Sequence, residues 1–433
     1  MENNEYIELL KPYLTEDELA IYFKSLDDSY YNKGAIINTN LVSFETLKED
    51  FPFIEKNYKL ESFINFTSEN NLSKSPFHYG GAYYLVDPSS VEVVYPLYKN
   101  LKDGSIVFDL CAAPGGKSII LALLRPDILI VSNEINQKRA QILKSNIQRL
   151  GLTNVVVTNN SIKDFAGISQ FNHAIDGIIL DVPCSGIGMN RKKAKMEDDY
   201  SEGKAEKLAP LQLDLLKTSL TMLKDKGLLV YSTCSYNEIE DEGVILQVLN
   251  EDKTVEHIDL NIENAKYSSS KIGSHLIPPF YKGEGHYVCL LKKYCDKSND
   301  LEIEKVKLSK DNKIELPIIE FKKNKYIADY FLKHLNRLNI VSIGVELLNN
   351  FQNEKAYYNV NFSHTKYGKN LLSVVSTDDI ELANKYLIGY EIPTEFDKNA
   401  EVAFAYKGVN LGYGKVVNRR LKNYFPKGLR KKD

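Results

Sequence analysis

Two cysteines each follow the end of a hydrophobic run. Cys184 lies in DVPCSG (Asp181 to Gly186) after GIIL, and Cys234 lies in YSTCSY (Tyr231 to Tyr236) after GLLVY. Short apolar runs bounded by turn residues read as buried strands. In an open α/β sheet, the loops at the carboxyl ends of such strands form the ligand crevice. Two thiols at two strand ends, with the Asp181 carboxyl beside one of them, point to covalent chemistry shared between sulfurs. Pro183 fixes φ and removes a donor, giving a stiff exit that aims Cys184. Asn237 and Glu240 resemble a capping box, which predicts a helix starting just after Cys234. The partial positive charge of a helix N-terminus lowers a thiol's pKa. This leans toward Cys234 as the reactive sulfur but does not rank the pair.

The remaining cysteines read differently. Cys289, inside HYVCLLKK, is a small buried hydrophobe, Cys295 a surface residue, and Cys111 a packing residue in a loop. Five cysteines with no C-x-x-C spacing indicate neither a disulfide framework nor a metal site. They fit a reducing cytoplasm.

Asp109 to Ser118 reads DLCAAPGGKS. A strand, small residues, two glycines and a helix from Lys117 let backbone approach a ligand closely. Glu134 ends the next strand about twenty residues on, where an acid can bond both hydroxyls of a ribose. The loop is neither GxGxxG nor GxxxxGK[ST], so the pattern favours an adenosine-type cofactor over a dinucleotide or a P-loop nucleotide. A thiolate, a carboxyl and such a cofactor suit methylation at carbon 5 of a pyrimidine. That carbon is too weak a nucleophile to take a methyl group directly. A thiolate adding to carbon 6 converts the ring to an enamine, and an acid at ring nitrogen 3 lowers the barrier to addition. A base then removes the carbon 5 proton and the thiolate leaves, a step that a second thiol can assist.

These groups need a scaffold. SIVFDL, DILIVSNE, NVVVT, DGIIL and GLLVY alternate with helical stretches, including Asn136 to Leu150 and Pro210 to Leu223, and HYVCLLKK reads as a last strand. Such alternation predicts an α/β, Rossmann-like, mostly parallel sheet with helices on both faces. Residues 1–75 read as mainly helical, 76–293 as the catalytic domain, and the polar stretch 294–313 as a linker. Residues 314–375 form an intermediate region with a helix over Tyr326 to Leu338. Residues 376–433 read as a small β-rich module of short strands and Gly turns. The N-terminus has no signal-peptide pattern, and the most apolar stretch, Ser118 to Val131, is interrupted by Arg125, Pro126 and Asp127. A cytoplasmic, monomeric protein without membrane contact is the expectation.

A net charge of −3 gives no hint of a polyanionic partner, but the distribution of charge does. Arg191, Lys192, Lys193 and Lys195 follow Cys184 closely. Lys415, Arg419, Arg420, Lys422, Lys427, Arg430, Lys431 and Lys432 crowd the C-terminal end. Local basic patches supply a phosphate footprint even in a near-neutral protein.

DLCAAPGGKS, DVPCSGIGMNRKK and YSTCSYNEIEDE resemble three signature motifs of the Nol/Nop/Sun family of RNA cytosine carbon-5 methyltransferases. GVNLGYGKVVNRRLKNYFP is similar to the end of the RsmF type, bacterial 16S rRNA enzymes with a PUA-like C-terminal module. The resemblance implies S-adenosyl-L-methionine as cofactor, bound by Cys111, Ala112, Ala113, Pro114, Gly115, Gly116 and Lys117, with Glu134 on the ribose and Ser161 and Asp181 nearby. It implies Cys234 as nucleophile, Cys184 as the cysteine that aids product release, and Asp181 as the residue positioning the base. RNA, most of all 16S rRNA in the small subunit or its precursor, is the implied substrate, contacted by Arg191, Lys192, Arg419, Arg420 and Lys422. A tRNA substrate and a catalytically silent assembly factor are the alternatives. DNA enzymes are disfavoured, since they place the nucleophile in the Pro-Cys motif. Two departures stand out. Ser161 replaces an Asp near the adenine, which Asp164 could make good. GAIINTNLVS has Ile36 and Leu41 where the family has Arg and Lys, which weakens RNA docking by the N-terminal segment, residues 1–75, or shifts it elsewhere.

Overall fold

The computed structural model describes residues 4–26, 31–188, 202–311, 314–349, 357–369 and 371–431. At the N-terminal end, helices α1 (Asn4–Leu10) and α2 (Glu16–Leu26) precede a small antiparallel sheet. Its strands are β1 (Asn32–Ile37), β2 (Glu55–Lys56), β3 (Phe63–Thr67) and β4 (Tyr83–Val86), in the order β2-β3-β1-β4, with helices α3 (Phe44–Asp50) and α4 (Pro76–Tyr79) between them. The mainly helical reading of residues 1–75 is corrected here. The strands escaped notice because Ala35 to Ile37 and Phe63 to Phe66 are buried without a break, which removes the alternation that marks a half-exposed strand.

The central unit runs α5 (Ser90–Asn100), β5 (Ile106–Asp109), α6 (Gly116–Leu124), β6 (Leu129–Asn133), α7 (Gln137–Arg149), β7 (Val155–Thr158), α8 (Ile162–Ala166), β8 (Ile175–Asp181), α9 (Glu202–Leu220), β9 (Leu223–Thr233), α10 (Glu242–Glu251), β10 (Val255–Ile258), β11 (Ser274–Leu276) and β12 (His286–Lys293). Strands β9, β8, β5, β6 and β7 are parallel neighbours in that order. β12 joins β9 antiparallel, with β10 and β11 beyond it. Every residue of β5, β6 and β7 is buried, as expected when helices cover both faces. Successive side chains enter opposite layers. Phe108 packs with Phe165 and Phe171, at ring separations of 5.3 and 5.2 Å. Val107 belongs to the other layer, with Ile119, Leu143 and Ile147.

The later regions are wound into this unit. Ile340–Ile343 pairs antiparallel with β7 and extends the central sheet at its far edge. The helix anticipated over Tyr326 to Leu338 is replaced by strands Asn324–Ile327 and Tyr330–Phe331 and a 3-10 turn at Lys333–Arg337. The backbone there is consumed by a hairpin with Ile314–Phe321, which buries Tyr326 and Ile327. Within the polar stretch 294–313, Glu304–Lys305 pairs with Tyr330–Phe331, and Leu308–Asp311 pairs with Ile314–Phe321.

The C-terminal module is a five-stranded sheet of Val374–Thr377, Glu401–Tyr406, Val409–Val417, Arg420–Asn423 and Ile392–Pro393, with helix α11 (Ile380–Ile388) against it. Its core is continuous with that of the N-terminal sheet. Phe77 and Tyr406 meet edge to face with ring centres 5.0 Å apart, and Tyr406 donates to Asp50 at 2.6 Å. The N-terminal region and the 3-10 turn Val360–His364 also grip the end of α7. Asn38 donates to the Leu150 carbonyl at 2.9 Å, and Arg149 to the His78 carbonyl at 2.6 Å. Gly151 turns the chain at φ +67°, and a Cβ there would lie 2.3 Å from the His364 carbonyl. Among the described residues, no helix is long and apolar enough to cross a membrane.

Candidate active site

The order β9-β8-β5-β6-β7 reverses direction between β5 and β8. Beyond the carboxyl ends of those strands a cavity of about 800 Å³ opens, at the topological switch point where such sheets bind ligands. The loop after β5 forms one wall. Gly115 takes φ +119° and ends the turn into α6, a conformation open to glycine at little cost. Cys111, Ala112, Ala113, Pro114, Gly116 and Lys117 line the cavity, together with Glu134, Ser161 and Asp181. Gly115 shapes the turn and is not among the lining residues. Asp109 lies beneath, where burial pushes its carboxyl up to about 7, and Ser118 donates to it at 2.6 Å.

Glu134 is 4% exposed. One of its oxygens accepts the Asn136 backbone N–H at 2.8 Å, and the other lies 3.4 Å from the Arg139 guanidinium. Ser161 lines the cavity but also caps α8, accepting from the Asp164 N–H at 3.2 Å while the Asp164 carboxylate accepts from the Ser161 N–H at 2.8 Å. Asp164 is therefore committed to the capping box and does not replace the missing carboxylate.

Asp181 ends β8 and forms the opposite wall. It accepts from Lys117 Nζ at 2.6 Å and from Ser232 Oγ at 2.7 Å. Burial pushes its carboxyl up, but Lys117, His286 and Ser232 outweigh that and hold it below the ordinary value. Burial likewise works against the Lys117 ammonium, and Asp181 outweighs it. Asp181 is thus an ionised acceptor, not the acid that carbon 6 addition calls for. Lys117 is the donor beside it.

The two sulfurs meet. Cys184 Sγ and Cys234 Sγ are 2.8 Å apart, and the Cys234 backbone N–H donates to Cys184 Sγ at 3.2 Å. Either thiol can donate across this contact; with the proton on Cys184, the contact and burial raise the Cys184 thiol and the contact lowers that of Cys234. Lys117 also favours the Cys234 thiolate. The helix expected near Asn237 begins only at Glu242, and Asn237 and Glu240 do not form the anticipated box. The thiolate is stabilised by its neighbours and not by a helix terminus. The Glu240 carboxylate instead anchors the Cys184 loop, accepting from the Ser185 backbone N–H at 2.9 Å and from Gln212 at 3.0 Å. Cys111 also lines the cavity, with its thiol pushed up by burial. Cys289 is fully buried in β12 and Cys295 half-buried.

Arg191, Lys192, Lys193 and Lys195 lie outside the described residues. Arg419, Arg420 and Lys422 are exposed on the last hairpin of the C-terminal module, alternating with buried Leu421. Ile36 and Leu41 are buried, so those positions carry core packing and present nothing to a polyanion. Sequence reasoning missed Asp87, Asn136, Arg139 and His286, which also line the cavity. The signal for Asn136 was its N-cap position, where its side chain accepts from the Lys138 and Arg139 N–H groups.

Residues 96–292 match the model of a family described as 16S rRNA methyltransferase RsmB/F, and residues 374–431 match one described as methyltransferase RsmF PUA domain. The catalytic unit is of the RsmB/F methyltransferase type. A ribosomal RNA small subunit methyltransferase F from Aeromonas salmonicida is 29% identical over 391 residues, 83% of this chain and 81% of that protein. One from Aliivibrio fischeri is 26% identical over 399 residues, 83% of this chain and 81% of that protein. Among solved structures, NSun6 from Pyrococcus horikoshii with SFG shares the fold, with a TM-score of 0.59 at 17% identity over 67% of this chain and 98% of that one. The RsmB/F match contains the glycine loop, Glu134, Asp181, both cysteines and His286.

Proposed function

We propose that this RsmB/F methyltransferase forms 5-methylcytosine in RNA of the small ribosomal subunit, acting in the cytoplasm through a Cys234–carbon 6 adduct. The observation that carries this reading is the contact between the two sulfurs beside an ionised Asp181 and a cavity of nucleotide size. S-adenosylmethionine, when bound, supplies an electrophilic methyl group. The residues present fit it: the loop from Cys111 to Lys117 gives close backbone approach, and Glu134 offers carboxylate oxygens to a ribose.

The chain's own groups divide the work on the base. Asp181, as an acceptor, suits the exocyclic amine of cytosine and would repel the carbonyl that uracil has there. Lys117 donates toward the ring nitrogen or oxygen on which charge gathers as Cys234 adds to carbon 6. Cys184, held as a thiol, can protonate the Cys234 sulfur as it departs. A base inside a helix hides carbon 6, so the target is flipped or unpaired. The basic hairpin of the C-terminal module holds phosphates without selecting the base.

The test uses small subunits from cells lacking the gene. Cys234→Ala abolishes methyl transfer and adduct formation. Cys184→Ala retains the covalent RNA complex, seen as a retarded band on a denaturing gel. Swapped outcomes overturn the assignment of the nucleophile, and indifference to both variants overturns the covalent mechanism.

A further inference from the structure

Three residues outside the signature motifs converge on Lys117. Asp87 and Ser89 precede α5, and His286 opens β12. Tyr287 pairs with Thr233 across the sheet, which brings His286 next to the Cys234 loop. His286 is 7% exposed and lines the same cavity as Asp181, Cys184 and Cys234. Its Nδ1 lies 2.5 Å from Ser89 Oγ and its Nε2 3.5 Å from Lys117 Nζ. Ser89 Oγ also donates to Asp87 Oδ1. Asp87 is fixed in turn by the Ser89 N–H at 3.0 Å and the Glu284 N–H at 2.9 Å.

Counting protons assigns the tautomer. A carboxylate only accepts, so the single hydroxyl hydrogen of Ser89 goes to Asp87. Ser89 Oγ must then accept from His286, which puts the ring hydrogen on Nδ1. Nε2 carries the lone pair, in accord with an ammonium donor at Lys117. Lys117 meets that lone pair at the outer limit of hydrogen-bond distance, and the ring borders the reaction cavity. Behind it, Ser89 and Asp87 stabilise the positive charge that a captured proton would bring.

Carbon-5 methylation leaves one task without a group. After transfer, carbon 5 bears both a hydrogen and the new methyl. The carbon–hydrogen bond must break, its electron pair forming the carbon 5–carbon 6 double bond. The carbon 6–sulfur bond breaks with its pair returning to Cys234. Asp181 is engaged by Lys117 and Ser232, and the Cys184 sulfur lies against Cys234 Sγ and accepts the Cys234 backbone N–H. We propose that His286 Nε2 accepts the carbon 5 proton, with Ser89 and Asp87 as its positioning residues. This rests on the carbon-5 reading above. Among the described residues, the charged groups around His286 include Lys117 and Asp181 on the cavity side, Asp87 behind Ser89, Glu284 just before it in sequence, and the paired sulfurs.

The experiment uses small subunits from cells lacking the gene, tritiated at carbon 5 of cytosine, with S-adenosylmethionine carrying a carbon-14 methyl group. Wild-type protein releases tritium in step with methyl incorporation. In His286→Ala, single-turnover methyl incorporation persists while tritium release slows on the order of 10²-fold or more, the usual size of a lost general base. The RNA–protein adduct accumulates, and the acidic limb of the pH profile for tritium release disappears. Ser89→Ala shifts the same readouts in the same direction by less. If tritium release and methyl incorporation fall together in both variants without adduct, His286 is only structural and the proposal fails. It fails equally if tritium release is unchanged. A wild-type protein that incorporates methyl without releasing tritium overturns the carbon-5 reading itself.

Discussion

Glu134→Gln tests the cofactor assignment with the least damage to the fold. The carboxylate sits at the end of β6, one oxygen fixed by the Asn136 N–H and the other facing Arg139. Glutamine can keep its carbonyl on the Asn136 N–H, which leaves its amide group where the second oxygen was. A ribose hydroxyl then loses a charged acceptor. Hydrogen bonds to charged groups contribute about 1.5–3 kcal/mol, so affinity for S-adenosylhomocysteine should fall about 10- to 150-fold. Arg139 is half exposed, at 55%, so losing that ion pair should change the unliganded melting temperature little. With ligand at about 100 times the wild-type Kd, the wild-type protein gains about 2.7 kcal/mol, whereas the variant should gain about 1.4 kcal/mol or less. Calorimetry gives the Kd. Thermal melts followed by tyrosine fluorescence give the stabilisation, since the chain has 28 tyrosines and no tryptophan. An affinity within about threefold of wild type, against the tenfold minimum worked above, would refute the ribose contact.

Neutralising Arg419 and Arg420 together should lower the slope of log affinity against log salt by about 1–2 for the same RNA; an unchanged slope removes the hairpin from the footprint. A pH-dependent defect is expected at His275, which is buried between the rings of Tyr13 and Tyr287 and bonds Glu242 at 2.8 Å. Burial pushes the Glu242 carboxyl up, but His275 outweighs it and holds the group below its ordinary 4.5. A depressed carboxylate contributes stability that is full above its unfolded pKa and lost as pH falls through the folded one. His275→Gln should therefore lose up to about 1.5–3 kcal/mol at neutral pH, the worth of a hydrogen bond to a charged group, and the deficit should shrink below pH 4.5, in melts of both proteins across that range.

The central sheet and its site were legible because their signals are local. GIIL and GLLVY mark β8 and β9, and the small residues after Asp109 announce a close-approach loop. The ranking of the thiols was not legible. The features that favour a thiolate at Cys234 are the charge of Lys117 and the contact with Cys184, fifty residues away in sequence, and the helix invoked for it starts too late. The chain Asp87–Ser89–His286 was invisible for the same reason: its members meet only when β12 lies down against β9. Tyr326 to Leu338 shows how apolar spacing misleads when a hairpin takes the backbone hydrogen bonds first. Ile36 and Leu41 show the opposite case, where a departure from a motif turned out to be a packing requirement.

The common core of the N-terminal sheet and the C-terminal module, locked to the end of α7, makes the distance from basic hairpin to cysteine pair a fixed length. A tethered module would let the catalytic crevice sweep over many bases near its anchor. Here the protein acts as a caliper. On the proposed function, an RNA whose gripped element and unpaired base stand at the matching separation would bring a cytosine to Cys234, and spacing, read by a rigid span, would select among targets that phosphate contacts cannot tell apart.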